Sequence, residues 1–324
     1  MMSLVKGSLA NVVDRAMDLA VVPGFSAIGY QVRRRTQAWD SPDLTGRSVM
    51  VTGSNAGLGK AAALELSRCG AKVHMVCRNP SKGDQARREI AEATGTEPVL
   101  HICDVSDLDA VRSFALGFLD SGEGLDVLIN NAGVMPEERQ HTDAGFELTF
   151  ATNVLGPFLL TELLMPLLEA SSDGRVITMS SGGMYSSGFS LDDPQLERKD
   201  YSPTNFYAHT KRAEVMLTDE WADRAGVNGP RFFSMHPGWA VTPGMSAALP
   251  LFHKVTGPIL RDTAEGADTA VWLCAAGPDE AQAGGFFMDR KARPKHRIPG
   301  TKESAEDRRR LYGLCSELVG IAPD

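Results

Sequence analysis

Little in this chain could hold it together except its own core. Of 324 residues five are cysteines (Cys69, Cys77, Cys103, Cys274 and Cys315), odd in number, scattered, and without a Cys-x-x-Cys pair. That argues against a disulfide framework or a thiolate zinc site and favours a reducing compartment, so a cytoplasmic location is expected. The seven histidines show no ligand spacing, so no metal is expected either. Basic residues are not in excess. Lys and Arg number 33 against 41 Asp and Glu, for a net charge of -8, which removes the electrostatic footprint of nucleic-acid binding. No apolar run reaches the length of a membrane span, and neither an internal repeat nor a low-complexity tract is visible.

Glycine is plentiful, 32 residues, and it concentrates where it matters. The apolar run Val49-Met50-Val51-Thr52 meets Gly53-Ser54-Asn55-Ala56-Gly57-Leu58-Gly59, and the turn leads straight into Ala61-Ala62-Ala63-Leu64-Glu65-Leu66, a strong helix-forming stretch. Strand, glycine turn and helix form the first unit of a dinucleotide-binding sheet. The glycines let backbone approach a pyrophosphate, and the helix N-terminus supplies free N–H groups.

From residue 48 onward strand and helix patterns alternate. Apolar strand-like runs fall at 48–52, 72–77, 98–103, 126–130, 175–180, 231–235 and 285–288, with helical patterns at 57–69, 81–93, 108–119, 144–170, 206–225 and 264–275. Continuous apolar strands separated by helices predict an α/β fold. The expected form is a Rossmann-type doubly wound parallel sheet of about seven strands with helices on both faces. Pro157 predicts a kink or break in the longest helix. The division expected is an N-terminal extension over 1–46, a catalytic domain over 47–290 and a C-terminal tail with a helix over 291–324.

In the extension, Leu4, Val5, Leu9, Val12, Val13, Met17 and Ala20 recur at helical spacing, opposite Asn11, Asp14, Arg15 and Asp18. This reads as an amphipathic helix ending near Pro23-Gly24. It packs on the domain or on a partner subunit, or it makes peripheral membrane contact through residues 1–40, with Tyr30, Arg33-Arg34-Arg35 and Trp39 at the interface. Its charges make a cleaved signal peptide a poor fit. Because the first strand starts at Ser48, removing residues 1–40 is expected to spare cofactor binding.

The chemistry-bearing residues stand at strand ends. Arg78 closes the second strand, where dinucleotide folds meet the adenosine ribose, and could pair with a 2′-phosphate. Asp104 closes the third and could accept from the adenine amino group or serve a helix start. Asn131-Ala132-Gly133 closes the fourth, where small residues admit a flat ligand. Asn153 sits inside a helical pattern, which disfavours it locally and suggests a packing or water-holding duty. Ser180 and Ser181 close the fifth. In Tyr207-x-x-x-Lys211, four residues on a helix share a face. The ammonium would then favour the phenolate and make Tyr207 a usable proton carrier. Met184, Tyr185, Trp239, Met245, Leu249 and Phe252 are expected to line an apolar pocket mouth.

As an ordered set, Thr52-Gly-x-x-x-Gly57-x-Gly59, Asp104, Asn131-Ala-Gly133, Asn153, Ser181, Tyr207-x-x-x-Lys211 and Pro237-Gly238 resemble the short-chain dehydrogenases/reductases. Cys77-Arg78-Asn79 and the long interval from Ser181 to Tyr207 resemble their retinol-dehydrogenase-like branch. The resemblance implies Asn153, Ser181, Tyr207 and Lys211 as catalytic residues. Ser181 would bond the substrate oxygen, with Ser180 as the fallback, and Asn153 would place a water that links Lys211 to solvent. Cofactor contacts would come from Gly53, Ser54, Asn55, Gly57, Leu58, Gly59, Arg78, Asp104, Val105, Asn131, Ala132, Gly133, Tyr207, Lys211, Pro237, Gly238 and Thr242.

The expected function is an NADP(H)-dependent oxidoreductase, binding NAD(H) more weakly, that interconverts a carbonyl and an alcohol on a small apolar substrate. A homo-oligomer is compatible with it. An isomerase or dehydratase on the same fold, and a non-catalytic NADP(H)-binding scaffold or sensor, are the alternatives.

Overall fold

The computed structural model describes residues 14–18, 20–37, 39–241 and 257–322. Helical residues 14–18 and two short helices, α1 (Val21–Phe25) and α2 (Ala27–Gln37), precede the sheet. Then follow β1 (Ser48–Thr52), α3 (Gly57–Arg68), β2 (Lys72–Cys77), α4 (Pro80–Thr94), β3 (Val99–Ile102), α5 (Leu108–Asp120) and β4 (Val127–Asn130). The second half comprises α6 (Leu148–Ala170), β5 (Arg175–Met179), α7 (Pro203–Ala225), β6 (Arg231–Met235), α8 (Thr263–Leu273), β7 (Phe286–Met288), β8 (Lys291–Ala292) and α9 (Ala305–Leu318).

The sheet runs β3-β2-β1-β4-β5-β6-β7-β8, with every neighbouring pair parallel except β7 and β8. It therefore has eight strands where about seven were expected; the eighth is a two-residue antiparallel edge too short to carry a pattern. Strands covered on both faces read as continuous apolar runs, and Val49, Met50 and Val51 are accordingly all fully buried. One core lies under α3, α4 and α8, the other under α5, α6, α7 and α9. Strand order reverses between β1 and β4, which opens the crevice at the carboxyl edge where such sheets take ligands.

After a first turn at Leu148–Phe150, α6 carries a widened π-helical turn at Ala151–Leu155 and then runs on through Pro157 to Ala170, so the irregularity lies just before the proline and the helix does not break. Gly156 follows because a side chain there would overlap the Val105 carbonyl. Contrary to the sequence reading, one helix, Leu148–Ala170, is long and apolar enough to cross a membrane. Most of it is buried inside the protein, as a core helix is.

The described part of the N-terminal extension is tied to the domain by charge; Leu4, Val5, Leu9, Val12 and Val13 of the expected amphipathic helix lie outside the described residues. Arg33, fully buried, donates from Nε to Asp14 (2.9 Å) and from Nη1 to the Gly24 carbonyl (2.7 Å) and Asp289 (2.5 Å). Arg261 forms a two-pronged pair with the same Asp289 (2.5 and 2.9 Å), and Arg293 does so with Asp14. Burial works to raise the Asp14 carboxyl, but Arg293, Lys291 and Arg33 hold it down at about 2. Asp289 and Arg290 form the β7–β8 turn with φ of 55° and 54°, a conformation usually left to Gly or Asn, and Asp289 is held there by the two arginines. Of the residues read as interface anchors, Tyr30, Arg33 and Trp39 turn inward, whereas Arg34 and Arg35 are exposed. Tyr30 is buried under the Arg261 guanidinium, and Trp39 packs on Tyr30 and Arg290.

Candidate active site

The glycine turn is built for close approach. Gly53 and Gly57 have φ of 66° and 55°, in the left-handed region. A Cβ on Gly53 would stand 2.9 Å from the Ala132 Cα, and one on Gly59 would overlap the Asn131 amide. The α3 N-terminus begins after Ala56, whose side chain can cap nothing, so its first N–H groups remain available to an anion. Thr52 and Asn131 tie the two sides of the crevice. The Thr52 hydroxyl accepts from the Asn131 and Ala132 N–H groups (3.0 Å each), while the Asn131 amide donates to the Thr52 carbonyl (2.7 Å). These observations fit a dinucleotide pyrophosphate.

At the adenosine end Arg78 is exposed, with Nη1 3.5 Å from Asp104 Oδ2. The other Asp104 oxygen accepts from the Ser106 N–H and hydroxyl, so Asp104 closes a turn; the cap of α5 is Asp107. The side chains of two expected cofactor contacts are turned away. Ser54 is fully buried, its hydroxyl 3.5 Å from the Cys77 Sγ, and Val105 is packed in the core beneath α6. Asn55 is partly exposed, and Leu58 packs towards Gly266 of α8.

The proton-handling residues meet where β5 ends. Ser181 accepts from the Gly183 N–H (3.1 Å) and its hydroxyl meets the Tyr207 phenol. Ser180 is buried and donates to the Lys211 carbonyl (2.8 Å), so Ser181 is the serine that faces Tyr207. The Lys211 ammonium lies 5.4 Å from the Tyr207 ring centre and donates to the Met179 carbonyl (3.0 Å) and to Glu214 Oε1 (2.6 Å). Burial works against the Lys211 charge, yet Glu214 and Tyr207 keep its pKa above the ordinary value. Tyr207 departs from expectation. Burial raises its pKa above 10, Lys211 offsets only part of that, and Glu214 adds to it. Asn153, fully buried in the π-helical turn, accepts from the Val134 N–H (2.9 Å) and donates to Thr210 (3.0 Å), joining α6 to α7. Its Oδ1 would lie 3.3 Å from a Cβ on Gly133, and the Lys211 Nζ 3.5 Å from it.

The far wall depends on the N-terminal extension. The Pro237 carbonyl accepts from Arg261 (3.3 Å), the Trp239 N–H donates to the Phe25 carbonyl (2.7 Å), and Gly238, at φ 74°, leaves no room for a side chain beside the Arg261 guanidinium. Thr242, Met245, Leu249 and Phe252 lie outside the described residues. The expected apolar mouth needs correction, because Met184 and Tyr185 are buried in a cluster with Phe25, Phe286 and Met288, and the Tyr185 hydroxyl is bonded to the Pro294 carbonyl (2.8 Å). Sequence reasoning also missed Glu214, Thr210 and Arg261. The three-residue step from Lys211 to Glu214 on one helix is a readable signal for the first; nothing local announces Arg261.

Comparison with known proteins agrees with this geometry. The family model described as short chain dehydrogenase matches residues 47–250. Dehydrogenase/reductase SDR family member 12 of Bos taurus is 45% identical over 277 residues, 85% of this chain and 86% of that protein. Retinol dehydrogenase 12 of Bos taurus is 37% identical over 284 residues, 86% of this chain and 88% of that protein. The crystal structure of an uncharacterized protein from Mycobacterium Paratuberculosis has 31% identity and a TM-score of 0.70, covering 87% of this chain and 96% of that one. The chain belongs to the short-chain dehydrogenases/reductases, an oxidoreductase family, and matches their retinol-dehydrogenase-like branch.

Proposed function

We propose that this chain is an NADP(H)-dependent oxidoreductase that interconverts a carbonyl and an alcohol on a small molecule, with Tyr207 as the proton carrier. The observation that carries this reading is the convergence of Ser181, Tyr207 and Lys211 at the carboxyl edge of the sheet, beside a glycine turn shaped for a pyrophosphate. The cofactor, when bound, supplies or takes the hydride. Ser181 and Tyr207 hold the substrate oxygen by hydrogen bonds, and Tyr207 gives or takes its proton. Lys211 binds the nicotinamide ribose and, as a cation, favours the phenolate. Because the Asn153 side chain is committed to Val134 and Thr210, the water-holding duty falls to its π-helical turn, where main-chain carbonyls lose their regular partners.

Arg78 is the reason for NADP(H) over NAD(H), since its exposed guanidinium can pair with a 2′-phosphate. Two solved structures that share the fold at 24% identity are complexes of the same cofactor. They are a short chain dehydrogenase from Shigella flexneri with NADP (TM-score 0.60) and one from Escherichia coli with NADPH (TM-score 0.63). The test is a panel of ketones, aldehydes and alcohols followed by NADPH absorbance, with Tyr207→Phe beside the wild type. Turnover by the wild type that falls at least ~100-fold in Tyr207→Phe, with NADPH binding kept, supports the proposal. Equal rates in the two proteins would remove Tyr207 from the mechanism, and tight NADPH binding with no turnover on any member would favour a cofactor-binding sensor.

A further inference from the structure

One buried charge beside this site has no part in the reading above. Glu214 lies on α7 three residues beyond Lys211, and its side chain is almost wholly buried. Oε1 accepts from the Lys211 ammonium at 2.6 Å, whereas Oε2 is buried without a hydrogen-bond donor among the described residues. The nearby hydroxyl, that of Ser180, already donates to the Lys211 carbonyl. Half of a carboxylate left unbonded in a buried site is costly, so burial pushes the Glu214 carboxyl up to about 7 even beside Lys211.

The charges that bear on Lys211 are those of Glu214 and Tyr207. Among the described residues, the surrounding elements bring neutral groups only. β5 contributes the Met179 carbonyl and Ser180, its following turn Ser181, and α6 Asn153. Of the other ionisable groups nearby, His209 is bonded to the Gly188 and Pro194 carbonyls, and Arg212 to those of Ser187 and Lys295. His236 bonds the Gly238 N–H, and Arg308 of α9 pairs with Asp223.

An ammonium stabilises a neighbouring phenolate only by its net field. With Glu214 ionised, Lys211 and Glu214 make a neutral pair, and their effect on Tyr207 largely cancels. We propose that Glu214 is a positioning residue that anchors Lys211 and, when ionised, offsets its charge, so that Tyr207 holds its proton to higher pH than Lys211 alone would allow and the site is set for carbonyl reduction. The inference rests on the proposed role of Tyr207. In the favoured direction the Tyr207 O–H bond breaks as an O–H bond forms on the substrate oxygen. A reduced nicotinamide nucleotide is oxidised as its hydride reaches the carbonyl carbon.

The test titrates Tyr207 itself, with neither cofactor nor substrate, so a wrong coenzyme or substrate assignment leaves it untouched. Ultraviolet absorbance of tyrosinate is followed against pH for the wild type and for Tyr207→Phe, and their difference isolates Tyr207. Repeating the pair in a Glu214→Gln background should move the Tyr207 step down by about one pH unit or more, the low end for a charge within a few ångströms. Glu214→Asp, which keeps the charge, should restore most of the wild-type value, and circular dichroism defines the range over which each protein stays folded. Glu214→Asn carries the same expectation if Glu214→Gln does not fold. With an alcohol from the substrate panel, the rising limb of the oxidation pH profile should shift down by the same amount. A Tyr207 step unchanged or raised in a folded neutral variant would overturn the proposal.

Discussion

At the scale of residues, what separates function from packing here is which way a polar group is turned. Ser180 and Ser181 are neighbours of one kind, yet the first is bonded to the helix backbone and the second faces Tyr207. Ser54 and Asn55 sit together in the glycine turn, but the Ser54 hydroxyl is buried against Cys77. Cofactor choice therefore rests more heavily on Arg78. That side chain is exposed and already faces Asp104, so its advantage for NADPH is expected near the low end for a charge-assisted bond, roughly tenfold. Arg78→Asp should reverse the order, because the new carboxylate repels a 2′-phosphate and accepts from a 2′-hydroxyl. Titrating both nucleotides against both proteins by fluorescence checks this, and a ratio that does not change clears Arg78 of the role. Gly238 offers a second residue-level test. Gly238→Ala meets both a positive φ and the Arg261 guanidinium, so it should loosen the Pro237–Trp239 strand end and weaken nucleotide binding measurably while the rest of the sheet stays folded.

At the scale of elements, the described part of the extension before β1, from Asp14 on, behaves as part of the domain. Residues 1–40 include Asp14, Gly24, Phe25 and Arg33, which bond to Arg293, Arg261, Trp239 and Asp289. Their removal would leave the buried Asp289 and Arg261 with half their partners, directly behind the Pro237 loop. Deletion of 1–40 is thus expected to lower both stability and nucleotide affinity, the reverse of what the late start of β1 suggests. Arg33→Ala isolates the effect. Removing one partner of a buried pair costs about 3–5 kcal/mol, readable as a lower urea midpoint. A midpoint equal to that of the wild type would show that the network carries no stability. Liposome flotation of the full chain settles the separate matter of membrane contact, for which Val21, Val22 and Ile28 are the exposed apolar residues described in the segment.

At the scale of the whole molecule, buried titratable groups set the response to acid. Burial holds His74 and His209 at about 4 and His236 at about 3, so the folded protein keeps all three neutral. Their unfolded counterparts take up protons near ~6.5, so their contribution is full above that value and is lost as pH falls towards the folded pKa values. Glu214 works in the other sense. Its folded pKa of about 7 lies above the unfolded value, so the native state gains as pH falls through 7. His101 and His296 are likewise pushed down and Asp219 pushed up, so histidines outnumber the opposing carboxyls and stability falls as pH drops from about 6 to about 5. Asp14, held at about 2, contributes nothing in that window. Urea midpoints should fall clearly from about pH 7 to about pH 5, and a maximum of stability at pH 5 would contradict the assignment.

The sequence alone determined the alternation of elements. Strand limits at 48–52, 72–77 and 231–235 coincide with those of β1, β2 and β6, because a strand buried on both faces must be apolar throughout and glycine, proline and charge mark its ends. It also determined that Gly53, Asn131 and Ser181 follow the ends of β1, β4 and β5 and that Tyr207 and Lys211 share a helix after β5, since a parallel α/β sheet delivers its carboxyl edge to one crevice. Only the tertiary structure decided the rest. Met184 and Tyr185 read as a pocket lining and are core, because apolar composition does not say which surface it will cover. Asp14, Arg33, Arg261 and Asp289, far apart in the chain, show no local pattern, and their pairing exists only once α1 and α2 fold back across the end of the sheet. Tyr207 and Lys211 were legible from their spacing, but the direction in which Tyr207 shifts was not. That depends on how much water burial removes and on where Glu214 stands, and both are properties of the packed site.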